Sequence, residues 1–192
     1  LRTIPGYEIV VPCDGPQTTA ATIAIAGRPG PGYIRLGSGK EPVILGDTGD
    51  FAVGKARVVA DIGSDLAIFS CGPALRLALD AADQLKQQRI HATVVEVHTL
   101  KPLDAETITS VLENVGVAVT IEDHNIIGGL GSAVAETAAD RVPRRIVRMG
   151  IPDAYPVSGE REELWEHYGF TVSNVVNTCT AVLAENGRTP RK

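Results

Sequence analysis

Apolar positions along the chain fall into two alternating rhythms. Short runs at residues 66–71 (LAIFSC), 92–97 (ATVVEV) and 117–121 (VAVTI) are apolar almost throughout, as strands buried on both faces of a parallel sheet are. Between them lie stretches with helical spacing. Leu75, Leu79, Ala82 and Leu85 mark a helix over 74–88. Further helices are predicted at 104–112, capped by Asp104, at 132–141, at 160–168, entered through Ser158 and ended by Gly169, and at 173–184, capped by Ser173. Residues 99–102 read as a turn fixed by Lys101 and Pro102, and 146–149 as another strand. Strands and helices alternating through short connections imply an α/β three-layer sandwich with a mostly parallel, doubly wound sheet.

The front of the chain has a different texture. A strand is predicted at 7–11 and stopped by Pro12, then a helix at 15–26 capped by Asp14, a turn at 28–32 (RPGPG) and a second strand at 33–36. Glycine-rich residues of mixed charge and little periodicity follow up to Gly54. Two strands and one helix cannot bury a core alone, so this segment is expected to lean on something absent from the sequence. The chain therefore divides into the tail of one domain (1–40), a linker (41–54), a complete second domain (55–186) and a polar tail (187–192).

Composition narrows the class. Over 192 residues the hydrophobic fraction is 44% but the aromatic fraction only 4%, so the core must be built from Val, Ile, Leu and Ala. A net charge of −5 argues against nucleic acid or an anionic membrane as partner. No apolar run approaches the ~20 residues that span a bilayer, and a cytoplasmic location is expected. Cys13, Cys71 and Cys179 have neither CxxC spacing nor a nearby histidine pair and read as buried structural thiols, with no metal site. The sequence opens at Leu1 and its single methionine is Met149, which fits a removed start or one piece of a longer polypeptide.

The densest chemistry lies at 120–136, TIEDHNIIGGLGSAVAE. A strand ends in Glu122, Asp123 and His124; a Gly128-Gly129-Leu130-Gly131 turn follows; Ser132 then opens a helix. Backbone N–H groups at such a helix start can take an anion or a partner carboxylate. The glycines lack GxGxxG spacing, and no acidic residue closes a following strand about twenty positions on, so dinucleotide binding is disfavoured. A histidine beside two carboxylates suits acid–base work or a salt bridge, and equally a hydrogen bond that fixes the loop. His98, at the end of another strand, is expected to be half-buried. The serines lack a histidine base at any motif spacing, so a serine hydrolase is unsupported.

Several segments together resemble the transketolase family of thiamine-diphosphate enzymes. LRTIPGYEIVVPCD is similar to the RxIPxxxVxxPxD stretch late in the family's pyrimidine-binding domain, and YIRLGSGKEP to that domain's last strand. VHTLKPLD, EDHNIIGGLGSAVAE and GIPDAYPVSGEREELWEHYGFT are similar, in order and spacing, to the C-terminal domain. HTLKPLD and YGFT are most like the separately encoded C-terminal section of split bacterial transketolases. Relatives with some of the same motifs are 1-deoxyxylulose-5-phosphate synthase and the β chain of 2-oxoacid dehydrogenases, and a fragment of either is an alternative. An anion- or nucleotide-binding regulatory module is another.

The resemblance implies a two-carbon ketol transfer between sugars through thiamine diphosphate and Mg²⁺, bound in the full assembly and not by this chain alone. It implies a partner carrying the diphosphate- and pyrimidine-binding portions, with a dimer of such assemblies, and gives this chain a role in assembly; the glutamate that activates the cofactor belongs to a region before Leu1. The family's strand matching 33–36 is followed by Gly-Arg, whose arginine helps hold substrate phosphate. Here that position is Ser38, with Arg35 or Lys40 available to compensate. A hydroxyl gives one neutral hydrogen bond where a guanidinium gives a bidentate charged clamp, so an unphosphorylated or differently charged acceptor is expected. Ser38 and Arg35 are thus the substrate-binding candidates, and Asp123, His124, Gly129 and Ser132 the interface or anion-site candidates.

Overall fold

The computed structural model describes residues 1–37, 41–46, 49 and 51–187. Its centre is a five-stranded sheet of β3 (Arg57–Asp61), β5 (Ala92–Glu96), β4 (Leu66–Ser70), β7 (Val117–Asn125) and β8 (Arg145–Ile151), in that spatial order. β4 pairs in parallel with β5 and with β7, and β7 in parallel with β8, while β3 runs antiparallel on the outside of β5. Every residue of β4 is buried, and its alternation sorts the two faces. Leu66 and Ile68 pack with α2 (Leu75–Gln87) and α6 (Val172–Glu185); Ala67 and Phe69 pack with α3 (Ala105–Asn114) and α4 (Leu130–Arg141). Burying each such Leu, Ile or Phe contributes roughly 1.5–3 kcal/mol. The expected three-layer sandwich is the observed one.

Local readings shift in five places. β3 was not foreseen, because its residues are half-exposed and carry no clean alternation. Residues Thr99–Lys101 form a strand, β6, instead of a turn, and β7 runs on past Ile121 to Asn125. The last helix is capped by the Thr171 hydroxyl, which accepts the Asn174 N–H, instead of by Ser173. The helix over Arg161–His167 (α5) has Glu160 at its cap position, and no side chain, Ser158 included, caps it.

A second, three-stranded sheet joins the front of the chain to the sandwich. β1 (Glu8–Val10) pairs in parallel with β2 (Gly32–Ile34) through the crossover helix α1 (Gly15–Ala26), and antiparallel with β6. The expectation that the front leans on something absent is thus only part of the account, since it leans on its own chain. Val11 donates its N–H to the His98 carbonyl at 2.8 Å and accepts from Gly72 at 3.1 Å. Gly72 sits in the left-handed region at φ +61°, and a Cβ there would lie 2.9 Å from Val11 Cγ1, so the close approach of Val11 to the end of β4 requires glycine.

Both helix-capping aspartates read from the sequence also hold the connecting segment. Asp14 accepts from Gln17 N with Oδ1 and from Ile44 and Leu45 N with Oδ2. Asp104 accepts from Thr107 N and from Ala56 N. Burial pushes both carboxyls up, but these backbone N–H donors outweigh it and hold them below the ordinary value.

His98 is buried, at 1% exposure, and not half-buried as expected. Its ring stacks on Phe51 with centroids 4.3 Å apart, and Nδ1 lies 2.9 Å from Thr99 Oγ1. Burial, with the Arg57 charge adding to it and Asp104 opposing, pushes its pKa down from 6.5 to about 4. The folded state therefore favours the neutral ring, and the stability this confers is present above pH 6.5 and lost as pH falls toward 4. Full loss is on the order of 3 kcal/mol. Urea midpoints measured from pH 7 to pH 4 should fall for the wild type and fall less for His98→Asn; equal slopes would show that His98 does not titrate on unfolding.

Candidate functional site

The sheet order β5-β4-β7-β8 places the reversal of winding between β4 and β7, where doubly wound sheets hold ligands at the carboxyl ends of the strands. Here the chain covers much of that edge itself. Gln17 reaches from α1 to Glu96 at the end of β5, with Nε2 donating to Oε1 at 2.6 Å. Val11 closes over His98 and Gly72, and Arg35, just after β2, pairs with Asp123 of β7 at 2.7 Å.

The Glu122–Gly131 loop is built around a buried carboxylate. Beyond Ile121 the register with β8 shifts, which turns Glu122 inward to zero exposure. Its Oε2 accepts from Leu130 N at 2.5 Å and its Oε1 from Gly131 N at 2.9 Å, so a residue eight and nine positions away caps α4. The helix therefore starts at Leu130, with Gly129 and not Ser132 at its end, and these two N–H groups, predicted as an anion site, already hold an internal anion. His124 completes the cluster, with Nε2 2.6 Å from Glu122 Oε2 and Nδ1 4.0 Å from Asp123 Oδ1. Gly129 is what permits it, since a Cβ there would lie 1.9 Å from Glu122 Oε2 and 2.4 Å from His124 Nε2.

Among the described residues, Ser132 and Arg35 also have internal partners. Ser132 Oγ accepts from Gly128 N at 2.9 Å and from Arg148 at 3.3 Å. Arg35 donates Nη1 to Asp123 Oδ1 and Nη2 to the Asp123 carbonyl at 3.1 Å, which ties the exit of β2 to the end of β7. Ser38 and Lys40 lie outside the described residues. Two residues that were not among the site candidates complete the loop. Arg148 donates to the Ile126 carbonyl, and Arg2 donates to the Gly129 carbonyl and pairs with Glu136. Arg2 carries no local signal that links it to a segment so far along the chain.

Burial and the neighbouring Glu122 and Asp123 carboxylates push the Cys71 thiol up, against the opposing charge of Arg35, and burial raises Cys179 to about 12. All three cysteines are free and buried, as expected. Among the described residues no three His, Cys, Asp or Glu side chains are grouped to hold a metal, and no helix is long and apolar enough to cross a membrane.

Fold and loop together define a doubly wound α/β domain whose carboxyl edge is braced by a strand–helix–strand unit of the same chain. The family described as transketolase, C-terminal domain, matches residues 54–175, and the chain belongs to that family. It is 38% identical over 181 residues to one subunit of the apulose-4-phosphate transketolase of Phocaeicola vulgatus, covering 93% of this chain and 57% of the relative. It is 37% identical over 173 residues to a putative transketolase C-terminal section of Methanocaldococcus jannaschii, covering 88% and 54%. A solved structure described as a split gene transketolase, in the form of an inactive beta4 tetramer, superposes with a TM-score of 0.86 at 35% identity, over 95% of this chain and 59% of that one. The chain spans just over half the length of these relatives.

Proposed function

We propose that the chain is the C-terminal portion of a transketolase-type enzyme and that its part is to assemble and brace the complex, with the ketol-transfer chemistry carried by a complementary subunit. The observation that carries this reading is the covered carboxyl edge: Val11, Gln17 and Arg35 close over the ends of β4, β5 and β7, where a ligand would sit in an open doubly wound sheet. That the Phocaeicola relative is named as one subunit of its enzyme supports a split assembly. Exposed apolar residues on the front segment support a partner there: Ile23 on α1 is 70% exposed and Leu36 55%.

The residues described do not fit thiamine diphosphate. The N–H groups of Leu130 and Gly131, at the N-terminus of α4, are filled by Glu122, so no step through the cofactor is assigned to this chain. In the complex the cofactor with Mg²⁺ supplies the carbanion chemistry. In our reading the complexes pair as dimers, and Ser38, in the place of the family's phosphate-binding arginine, shifts preference toward unphosphorylated or differently charged acceptors.

Calorimetry and a ketol-transfer assay test the proposal. The 192-residue chain alone should give no saturable heat with thiamine diphosphate and Mg²⁺ and no turnover. Adding the complementary subunit should produce both, with Ser38→Arg moving acceptor preference toward sugar phosphates. Tight cofactor binding or turnover by this chain alone would sink the division of labour.

A further inference from the structure

Among the described residues, the front segment leaves one stretch of the sheet's carboxyl edge open. Beyond the Arg35–Asp123 pair, a groove runs across the ends of β7 and β8 in two limbs that share Arg35, Asp123, Ile151 and Pro156. One limb is a cavity of about 390 Å³ walled by Trp165, Tyr168 and Phe170; the other, of about 630 Å³, is edged by His124, Asn125, Asp153 and Tyr155. Both volumes fall in the range of roughly 300–1,000 Å³ usual for small-molecule sites. In a chain with an aromatic fraction of only 4%, the single tryptophan and three other aromatic residues converge on this one groove.

Charge decides what class of molecule fits. Two arginines face the aromatic limb, and each is ion-paired across it: Arg35 to Asp123 at 2.7 Å, and Arg161 to Glu41 at 3.2 Å. The pairs are mostly shielded, with side-chain exposures of 27% and 11% for the first and 23% and 11% for the second. A free anion would have to compete with Asp123 and Glu41 for the guanidinium groups, and a free cation with the arginines for the carboxylates. A hydroxyl group needs neither exchange. It donates to a carboxylate oxygen and accepts from a guanidinium N–H at once, and a paired Arg and Asp offer both side by side. Asp123 Oδ2 makes no hydrogen bond among the described residues, and Arg35 engages Asp123 through Nη1 and Nη2, which leaves Nε and further N–H groups for a second partner. Half-buried Trp165, with Arg161 5.7 Å from its ring centre, and Tyr168, whose phenol is fixed by the Val157 N–H, supply flat apolar faces for the C–H side of a ring.

From this combination we infer that the groove between the ends of β7 and β8 is a binding site for a neutral polyhydroxylated ring, a free sugar or cyclic polyol. The site is independent of the enzymatic reading above, because it is formed within this chain and needs neither cofactor nor partner.

Trp165 is the only tryptophan, so its emission reports occupancy directly. The full chain should be titrated with D-xylose, D-glucose and myo-inositol, with xylose 5-phosphate, inorganic phosphate and ethylene glycol as comparisons. A saturable change with at least one neutral ring is expected in the millimolar range. Phosphate and ethylene glycol should give none, and binding should be about tenfold weaker in Asp123→Asn, which halves the acceptor capacity. Saturation-transfer NMR on Trp165→Phe should still detect the ring. No saturable response to any neutral ring, or a response to phosphate and sugar phosphate alone, would overturn the inference. So would equal binding by a folded Asp123→Asn; if that variant does not fold, the wild-type comparison of neutral rings with anions decides.

Discussion

Replacing Gly129 by alanine is expected to destabilise the protein on the order of 3 kcal/mol or more, although only one methyl group is added. The backbone at Gly129 has φ −90°, outside the left-handed region that favours glycine, so a positive φ is not the cause. The cause is that the Cβ position is already occupied by the Glu122 carboxylate, 1.9 Å away, and by His124. Glu122 has no other place to go. It is fully buried, and withdrawing it leaves the Leu130 and Gly131 N–H groups, also buried, without acceptors at roughly 1–3 kcal/mol each. Glu122→Gln should cost less than Gly129→Ala, because the amide keeps one acceptor oxygen. Urea unfolding gives the free energies, and hydrogen exchange at Leu130 and Gly131 localises the damage. A Gly129→Ala protein within about 0.5 kcal/mol of wild type, with those amides still protected, would mean that Glu122 does not cap α4.

The second large effect is expected at Gln17, where the front segment meets the sandwich. Gln17 is 1% exposed, accepts the Cys13 N–H at 2.7 Å and donates to Glu96 at 2.6 Å. Gln17→Leu fills the same space but leaves the buried Cys13 N–H without its acceptor and takes a hydrogen bond from the buried Glu96 carboxyl, at a cost of roughly 2–6 kcal/mol for the two. Glu96→Gln has the opposite expectation. Burial raises the Glu96 pKa above 4.5, against the hydrogen bonds from Gln17 and Cys13 and the charge of Arg57. A carboxyl with a raised folded-state pKa contributes stability below pH 4.5 that is lost as pH rises through the raised value. The amide keeps the acceptor for Gln17 and has no charge to desolvate. Glu96→Gln should therefore equal or exceed wild-type stability at pH 7, with the gain shrinking toward pH 4. Denaturation of both variants across pH tests the pair. A destabilised Glu96→Gln at pH 7 would mean that Glu96 is ionised and better stabilised than its burial indicates.

What was legible in the sequence was local. Asp14 and Asp104 cap α1 and α3 as read, because an N-cap needs only a short polar side chain and an N–H three residues on. β4, β5 and the start of β7 were legible because a run apolar at every position has only a two-sided burial to explain it. Reading failed where the partner is remote or where neighbours compete. Thr171 and Ser173 both carry a hydroxyl near the start of α6, and the extended backbone of Thr171 decides between them. β6 is three residues long and becomes a strand because β1, some ninety residues earlier, lies beside it.

The loop after β7 divides in the same way. Its strand, glycine turn and helix were written in the residues, and so was the family resemblance that points to transketolases. That Glu122 would cap α4, that Arg35 would close onto Asp123 and that Val11 and Gln17 would lie over the strand ends was not. The sequence by itself determined the alternation of strands and helices, because that depends on side-chain periodicity and nearest-neighbour hydrogen bonds. The tertiary structure alone decided which polar groups are engaged and which stretch of the sheet's edge stays open, because a buried donor takes the acceptor that packing brings within about 3 Å, whatever their separation along the chain.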